Sequence, residues 1–481
     1  MARIANRWTA LIAATLGLSA LTLLYPSTPT YDPWSWIIWG REIFHLHLVT
    51  TECPSWKPLP VIFTTLFAPF GEASPDLWLV VARAGGLLAL VGGFRVAARL
   101  VEPLTGGRCR SWSLPACIGG LGAVAAMVVQ SEFVKATALG NSEGLLVASV
   151  LFAIDRHMSG DRRGALLLAG VAGLFRPELW LFLGPYGLYV FWREPRLRFL
   201  VAAVGLAMPL LWFLPEYIGS GDFMRAATRA KDLKYLPYSP AFAADPTQAI
   251  LDMTDAIVPQ TVWWMAIAGA VLAVFAAARR SIGAALFMLM PAAWVGLMAW
   301  MTESGYAGNP RYLLLGTSLI CVAGGAGFGS LLGLASNLAG RVDRRLAPVV
   351  VAALCLIGLS VTWTGDLNSR LKRWEQLDSF LRNEHAHRAG LPGAVVLAGG
   401  TAKVDACGLI ATNNFQVPMV AWYLNLHIDH IGLDATGPGT AFQTKTTPRS
   451  VPDPPTGPPG GRIVGTSSPW TVIQRCVGAA G

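Results

Sequence analysis

Charge is what this sequence has least of. Only 14% of the 481 residues are Asp, Glu, Lys or Arg, against about 25% in ordinary soluble domains. Together with 53% hydrophobic residues and a mean hydropathy of +0.49, that scarcity excludes a soluble globular chain and reads as an integral membrane protein. The formal balance of +9 does not point to nucleic acid, because the Arg residues are spread between apolar runs rather than gathered in one patch. An internal repeat of useful length is missing, and so is any zinc-type Cys/His spacing. A small-residue cleavage site is poorly formed after the basic start Met1–Arg7 and the apolar stretch Trp8–Tyr25. Polytopic sequence follows, so the N-terminus is expected to stay as a signal-anchor helix.

A bilayer core takes about 20 apolar residues per helix. Eleven stretches read as spans: 8–25, 76–100, 114–130, 142–157, 164–175, 178–192, 199–217, 261–278, 282–301, 311–335 and 347–364. The pair around Arg176-Pro177-Glu178 is short on both sides. Basic residues gather in short cytoplasmic loops. Arg95, Arg99, Arg108 and Arg110, then Arg156, Arg162 and Arg163, then Arg193, Arg196 and Arg198 recur at every second loop, while the turns between carry Glu132, Glu143, Glu178 and Glu303. The pattern predicts a multi-pass protein of the plasma (inner) membrane, with a cytoplasmic N-terminus and an exoplasmic C-terminus.

Three outer segments are long: 26–75, 218–260 and 365–481. The first sets Trp34, Trp36, Ile37, Trp39, Ile43 and Leu46 at helical spacing with Arg41, Glu42, His45 and His47 interleaved, which predicts an amphipathic helix lying in the interface. The second is polar and mixed, and reads as a mobile loop. The third opens with a charged helical stretch over 366–387, then strand-like runs at Ala394–Ala398, Ile463–Val464 and Trp470–Cys476, with Pro448–Pro459 as loop. The expected architecture is an α-helical polytopic membrane module over 1–365 with about 11 transmembrane helices, followed by a small C-terminal α/β exoplasmic domain over 366–481. Cys117, Cys321 and Cys355 fall in spans and Cys109 in a cytoplasmic loop, while Cys53, Cys407 and Cys476 face outward. An oxidising exterior allows Cys407–Cys476 to staple the C-terminal domain; free thiols throughout are the alternative.

The ionisable residues predicted at the outer face are Asp32, Arg41, Glu42, Lys57, Arg83, Glu132, Lys135, Glu143, Arg176, Glu178, Glu303 and Arg311. They come from distant loops yet share one side, and charges next to lipid read as functional by default. Both signs are present. That suits transfer of a sugar from a polyprenyl phosphate to an acceptor hydroxyl. A carboxylate removes the hydroxyl proton, and fixed cations stabilise the departing phosphate, Lys as a point charge and Arg as a planar fork. Asp32 fits the first role, Lys57 and Arg311 the second.

These positions resemble the GT-C glycosyltransferases, in the style of protein O-mannosyltransferases and lipid A aminoarabinose transferases. The resemblance rests on Asp32 just after the first span and on Trp56-Lys57-Pro58-Leu59-Pro60 before the second. Ala82-Arg83, Asn141-Ser142-Glu143-Gly144, Phe175-Arg176-Pro177-Glu178 and Asn309-Pro310-Arg311-Tyr312-Leu313 follow in order. It covers roughly residues 8–335. The resemblance implies Asp32 as base on the acceptor and Lys57, Arg311 and Tyr312 about the lipid phosphate. It further implies Glu143 or Glu132 as the acid orienting acceptor or sugar, with Arg83, Glu42 and Arg176 lining the substrate site. The implied partners are a polyprenyl-phosphate sugar, a glycan, lipid or protein acceptor, and membrane lipid; no nucleic acid and no cofactor are expected. Relatives that use a divalent cation carry paired acids, whereas Asp32 is followed by Pro33.

Simpler roles exist for each residue. Asp32 followed by Pro33 is a standard helix start, so Asp32 could serve only as a cap. Lys57 could snorkel, Arg311 could pair with Glu303, and Arg176 with Glu178 could form a turn. His45 and His47 face differently on a helix and make a poor metal pair. A transporter or flippase of a lipid-linked saccharide is the alternative function, but such folds usually carry repeats and midplane charges.

Overall fold

The computed structural model describes the chain apart from residues 1, 53, 108–109, 111, 235, 237, 279–281, 344, 446–456 and 477–481; within helices, side chains are described except at 2–7, 347 and 356–368. Helix α1 (Ala2–Leu21) leads into a first connecting segment that carries α2 (Tyr31–Phe44) and α3 (Pro58–Phe67). Then follow α4 (Ser74–Leu104), α5 (Leu114–Val129), α6 (Ser131–Ala138), α7 (Glu143–Met158), α8 (Arg162–Gly173), α9 (Trp180–Arg193) and α10 (Arg198–Ser220). A second connecting segment folds into α11 (Arg225–Lys231) and α12 (Pro246–Ile257), before α13 (Gln260–Ala278), α14 (Ile282–Glu303), α15 (Leu314–Val342) and α16 (Leu346–Leu397).

All eleven expected spans fall on helices. Among the described residues, five helical segments are long and apolar enough to cross a membrane, and the pair α5–α6, bent by 71°, makes a sixth if taken as one. Helices α8 and α9 have 12 and 14 residues, so α8 covers about 18 Å at 1.5 Å per residue, short of a hydrocarbon core of about 30 Å. The chain is nonetheless a multi-pass membrane protein by its long apolar helices.

Helix α4 runs through the centre, packed by α5, α7, α15 and α1. Between membrane helices, close approach depends on small residues rather than on hydrophobic expulsion from water. Gly144 shows this at the start of α7: a Cβ there would lie 2.7 Å from the Gly86 backbone nitrogen of α4. The two backbones touch at the residue that follows Glu143. Gly119 of α5 and Gly325 of α15 make a second such contact.

Two expectations for the connecting segments are corrected. Helix α2 does not lie with an apolar face in lipid. Trp34, Trp36 and Trp39 are 2% exposed or less, because both faces of the helix meet protein. Trp36 packs edge-on against Trp78 at 5.6 Å, Trp39 tilts against Trp56 at 5.6 Å, and Trp34 meets Trp422 and Tyr423 of the C-terminal domain at 6.2 and 6.1 Å. Residues 218–260 are not a loop throughout either, since α11 and α12 lie within them and α12 packs on α14.

The C-terminal region is also partly redrawn. Helix α16 runs unbroken past residues 365 and 366, and the strand expected at Ala394–Ala398 is helical. Leu391, Ala394 and Ala398 are buried at spacings of one helical face, so this short apolar run, ambiguous by itself, takes the 3.6 period of the helix it continues. The domain proper then follows as α17 (Thr401–Cys407), β1 (Leu409–Thr412), α18 (Val417–Tyr423), β2 (Ile431–Gly432), β3 (Gly439–Gln443), β4 (Arg462–Ser467) and β5 (Trp470–Arg475). The sheet order is β2-β1-β3-β5-β4. Strand β1 is parallel to both neighbours, and β5 pairs antiparallel with β3 and β4. The strands expected at Ile463–Val464 and Trp470–Cys476 are present, and Cys407 is disulfide-bonded to Cys476. Most of the expected loop Pro448–Pro459 lies outside the described residues.

The Gly144–Gly86 contact yields a test. Gly144→Val forces α4 and α7 apart and is expected to cost about 1–3 kcal/mol, the usual range for overpacking. Gly205→Ala, where nothing lies within 4 Å, is the control. Thermal unfolding of the purified protein in detergent reads both; equal midpoints would remove the contact as a packing constraint.

Candidate active site

Prolines set the local geometry of the cations. Lys57 precedes Pro58, and Arg176 precedes Pro177. A residue before proline is pushed out of the helical region, and both are extended, at φ −138°, ψ 112° and φ −147°, ψ 121°. Each therefore stands just outside a helix start with its side chain free to turn inward. Arg311 follows Pro310 in a single helical turn, which Asn309 caps by accepting from the Arg311 backbone N–H at 3.1 Å.

Asp32 sits in the first turn of α2, where a carboxylate also complements the helix dipole. It does not act as the cap: the N-cap residue is Thr30, with no side-chain cap bond. Thr30 instead donates its backbone N–H to Leu139 at 3.1 Å and its hydroxyl to Asn141 Oδ1 at 3.4 Å. The start of α2 is thereby tied to the α6–α7 turn that presents Asn141, Ser142 and Glu143.

These pieces make one network. Arg311 Nη2 lies 2.7 Å from Asp32 Oδ2, and Nη1 donates to Asn141 Oδ1 at 3.1 Å. Arg176 Nη2 donates to Glu143 Oε1 at 3.1 Å, and its Nη1 pairs with Glu178 Oε1 at 3.5 Å. The Arg176 and Arg311 guanidiniums both stand over the Tyr312 ring, at 4.3 and 5.5 Å. Lys57 Nζ donates to Ser142 Oγ at 3.3 Å, lies 3.9 Å from Glu143 Oε1 and sits 5.1 Å over Trp36. The ammonium is the most loosely held cation of the three. Burial pushes it down to about 8, against the opposing pull of Glu143, with Arg176 and Arg311 adding to the decrease.

Among the described residues, several buried polar atoms here have no hydrogen-bond partner: Arg311 Nε, Glu143 Oε2 and Glu178 Oε2. Buried polar groups are nearly always paired, so these three atoms are ones that polar groups of a ligand would satisfy. Six of the sequence-selected residues thus meet: Asp32, Lys57, Glu143, Arg176, Arg311 and Tyr312. Arg311 is not paired with Glu303, whose carboxylate accepts from Thr247 at 3.1 Å.

Three others stand elsewhere. Arg83 donates to the Ala138 carbonyl at 3.1 and 2.8 Å and to Thr22 at 2.8 Å, tying α4 to α6 and to the end of α1. Glu42 accepts from the Val49 N–H at 2.9 Å and pairs with His427 at 2.7 Å, joining α2 to the C-terminal domain. Burial pushes Glu42 up to about 7. Glu132 pairs with Lys135 at 3.9 Å and lines a cavity of about 190 Å³ with Ser131, Pro310, Arg370 and Arg373. Among the described residues, no group of three or more His, Cys, Asp and Glu is placed to share a metal ion.

Reading the sequence missed Glu216. It is fully buried near the end of α10, accepts from the Trp56 backbone N–H at 3.1 Å and pairs with Arg225 Nη1 at 3.3 Å. Arg225 also donates to the carbonyls of Pro54, at 3.0 Å, and Glu52. The pair fixes the stretch that delivers Lys57. Its signal was visible: an acid inside an apolar span reads as functional by default.

No protein-family model matches the chain, and no curated protein does. A solved structure does match its fold: the crystal structure of ArnT from Cupriavidus metallidurans bound to undecaprenyl phosphate aligns with a TM-score of 0.54 and 14% identity, over 99% of each chain. The likeness spans the helical module and the C-terminal domain together. The chain therefore shares the overall membrane fold of that structure, completed by a small C-terminal strand region.

Proposed function

We propose that this protein transfers a sugar from a polyprenyl-phosphate donor to an acceptor hydroxyl at the outer face of the plasma membrane. The observation that carries the reading is the 2.7 Å pair between Asp32 and Arg311, placed beside Lys57 and Arg176. A fold alone hosts many functions, so the weight rests on this constellation. The solved structure of similar fold holds undecaprenyl phosphate, which supports a donor of that class.

Arg311 is the shared element. In the free protein its guanidinium is occupied by Asp32, so the paired carboxylate oxygen is turned to Arg311 rather than to an acceptor. The donor phosphate competes for the same planar fork. Once the phosphate engages Arg311 and Lys57, Asp32 is released towards the acceptor. The acceptor oxygen then attacks the anomeric carbon, its proton passes to Asp32, and the bond from that carbon to the phosphate oxygen breaks. The electron pair leaves on the polyprenyl phosphate, where Lys57 and Arg311 stabilise the growing charge. Glu143 holds Arg176 and balances Lys57; its unpaired Oε2 is offered to a hydroxyl of sugar or acceptor. The acceptor class is a glycan, lipid or protein hydroxyl.

Transfer from a labelled polyprenyl-phosphate sugar by purified protein tests the role of Asp32. Asp32→Asn is expected to lower turnover about 10²–10⁴-fold, the usual contribution of a positioned base. Undiminished transfer removes Asp32 from that role.

Lys57 gives a pH test. Its ammonium loses the proton as pH rises through about 8, so donor affinity in the free protein falls on that alkaline limb. Lys57→Arg keeps its charge there, because Arg stays protonated, and is expected to flatten the limb. Coincident profiles for the two proteins would place the titration elsewhere.

A further inference from the structure

A second charged cluster lies at the opposite end of α4 and α7, around a carboxylate that the proposed chemistry does not use. Asp155 is fully buried and stands twelve residues after Glu143 on the same helix, about 18 Å along its axis. Its Oδ2 accepts from Arg95 Nη2 at 3.0 Å and Arg156 Nη2 at 2.9 Å. Its Oδ1 lies 3.0 Å from Arg99 Nε, though not aligned for a hydrogen bond, since both atoms remain without one. Arg99 donates instead to Ser159 Oγ. Among the described residues, Arg95 Nε is also buried without a partner.

One carboxylate therefore faces three guanidiniums. A structural pin would need a single Arg, and like charges held this close repel. Their side chains keep 21–22% of their exposure, so the surplus is reachable from outside. Arg95 stands over Trp8 at 5.3 Å and Trp112 at 5.8 Å, and Arg156 over Trp8 at 4.9 Å. Trp favours the membrane–water boundary, which sets the cluster at the depth of lipid head groups. Planar forks with spare N–H donors match phosphate oxygens in pairs, and basic pockets between membrane helices hold anionic head groups in this way.

We propose that Arg95, Arg99 and Arg156, arranged around Asp155, form a phosphate-group binding site at the membrane surface opposite the Asp32 site. The phosphate is that of an anionic phospholipid or a free phosphate; the recognition chemistry is the same. The site is independent of the transfer reaction.

The test uses the full-length protein in phosphatidylcholine nanodiscs. Two probes are titrated separately: phosphatidylglycerol incorporated into the disc, and inorganic phosphate in solution. Binding and thermal midpoint are read for the wild type, for Arg95→Gln with Arg156→Gln, and for Arg95→Lys with Arg156→Lys. The wild type is expected to bind phosphatidylglycerol above the phosphatidylcholine background, and the Gln pair to bind it roughly tenfold more weakly, having lost two charge-assisted contacts. The Lys pair keeps charge without the fork and is expected to fall between them, which separates recognition from loss of folding. A response to phosphatidylglycerol alone assigns the head group as source; a response to both probes assigns the phosphate itself. Wild type that binds neither probe, or a folded Gln pair that binds both as well as wild type, overturns the proposal.

Discussion

The ion pair between Asp32 and Arg311 joins the first connecting segment to the start of α15 with little water to screen it: the two side chains are 8% and 20% exposed. Taking charges out of water is expensive, and removing one partner of a buried pair typically costs about 3–5 kcal/mol. The arrangement is held because other groups around it, though not Arg311 Nε, are also engaged. Asn141 takes the second Arg311 nitrogen and Tyr312 lies under the guanidinium. Lys57, Arg176, Glu143 and Glu178 form an adjoining group of two cations and two anions. Misplacing any one of the contributing turns would leave an unpaired charge in a nearly dry site.

The rest of the fold serves to hold those turns. Helix α2 carries Asp32 and is fixed on one side by α3 and α4, on the other by the C-terminal domain. Arg41 donates to Asn425 Oδ1 at 2.9 Å and to the Leu426 carbonyl at 2.7 Å, and Glu42 pairs with His427. Arg388 of α16 reaches Asp76 of α4 at 2.7 Å and stands 5.8 Å from the Trp34 ring centroid. The C-terminal domain thus acts as a clamp on the helix that carries the carboxylate. On the Lys57 side, Glu216 and Arg225 do the same work from α10 and α11.

Much of this was legible because membrane sequence is sparse in charge. Each polar residue in an apolar chain stands out, and sidedness told which could meet; Asp32, Lys57, Glu143, Arg176 and Arg311 were all visible on that ground. Long apolar runs fixed the helices, and the two cysteines outside the apolar spans near the C-terminus pointed to the disulfide. Other features depend on partners that no local pattern reveals. The Trp residues of α2 look the same whether they face lipid or another protein surface, and only the docked C-terminal domain decides. The run Ala394–Ala398 fits either period until the helix before it is known. Glu42 and Arg83 carry the same chemical signal as the clustered residues, yet three-dimensional placement sends them to structural ties.

The most direct measurement of the central claim is the affinity of undecaprenyl phosphate for the four members of a cycle: wild type, Asp32→Asn, Arg311→Gln and the double variant. If Asp32 and the phosphate compete for Arg311, Asp32→Asn binds the lipid phosphate more tightly than wild type, and that gain disappears when Arg311 is already Gln. Weaker binding by Asp32→Asn, or an equal gain with and without Arg311, would contradict a guanidinium shared between the carboxylate and the phosphate.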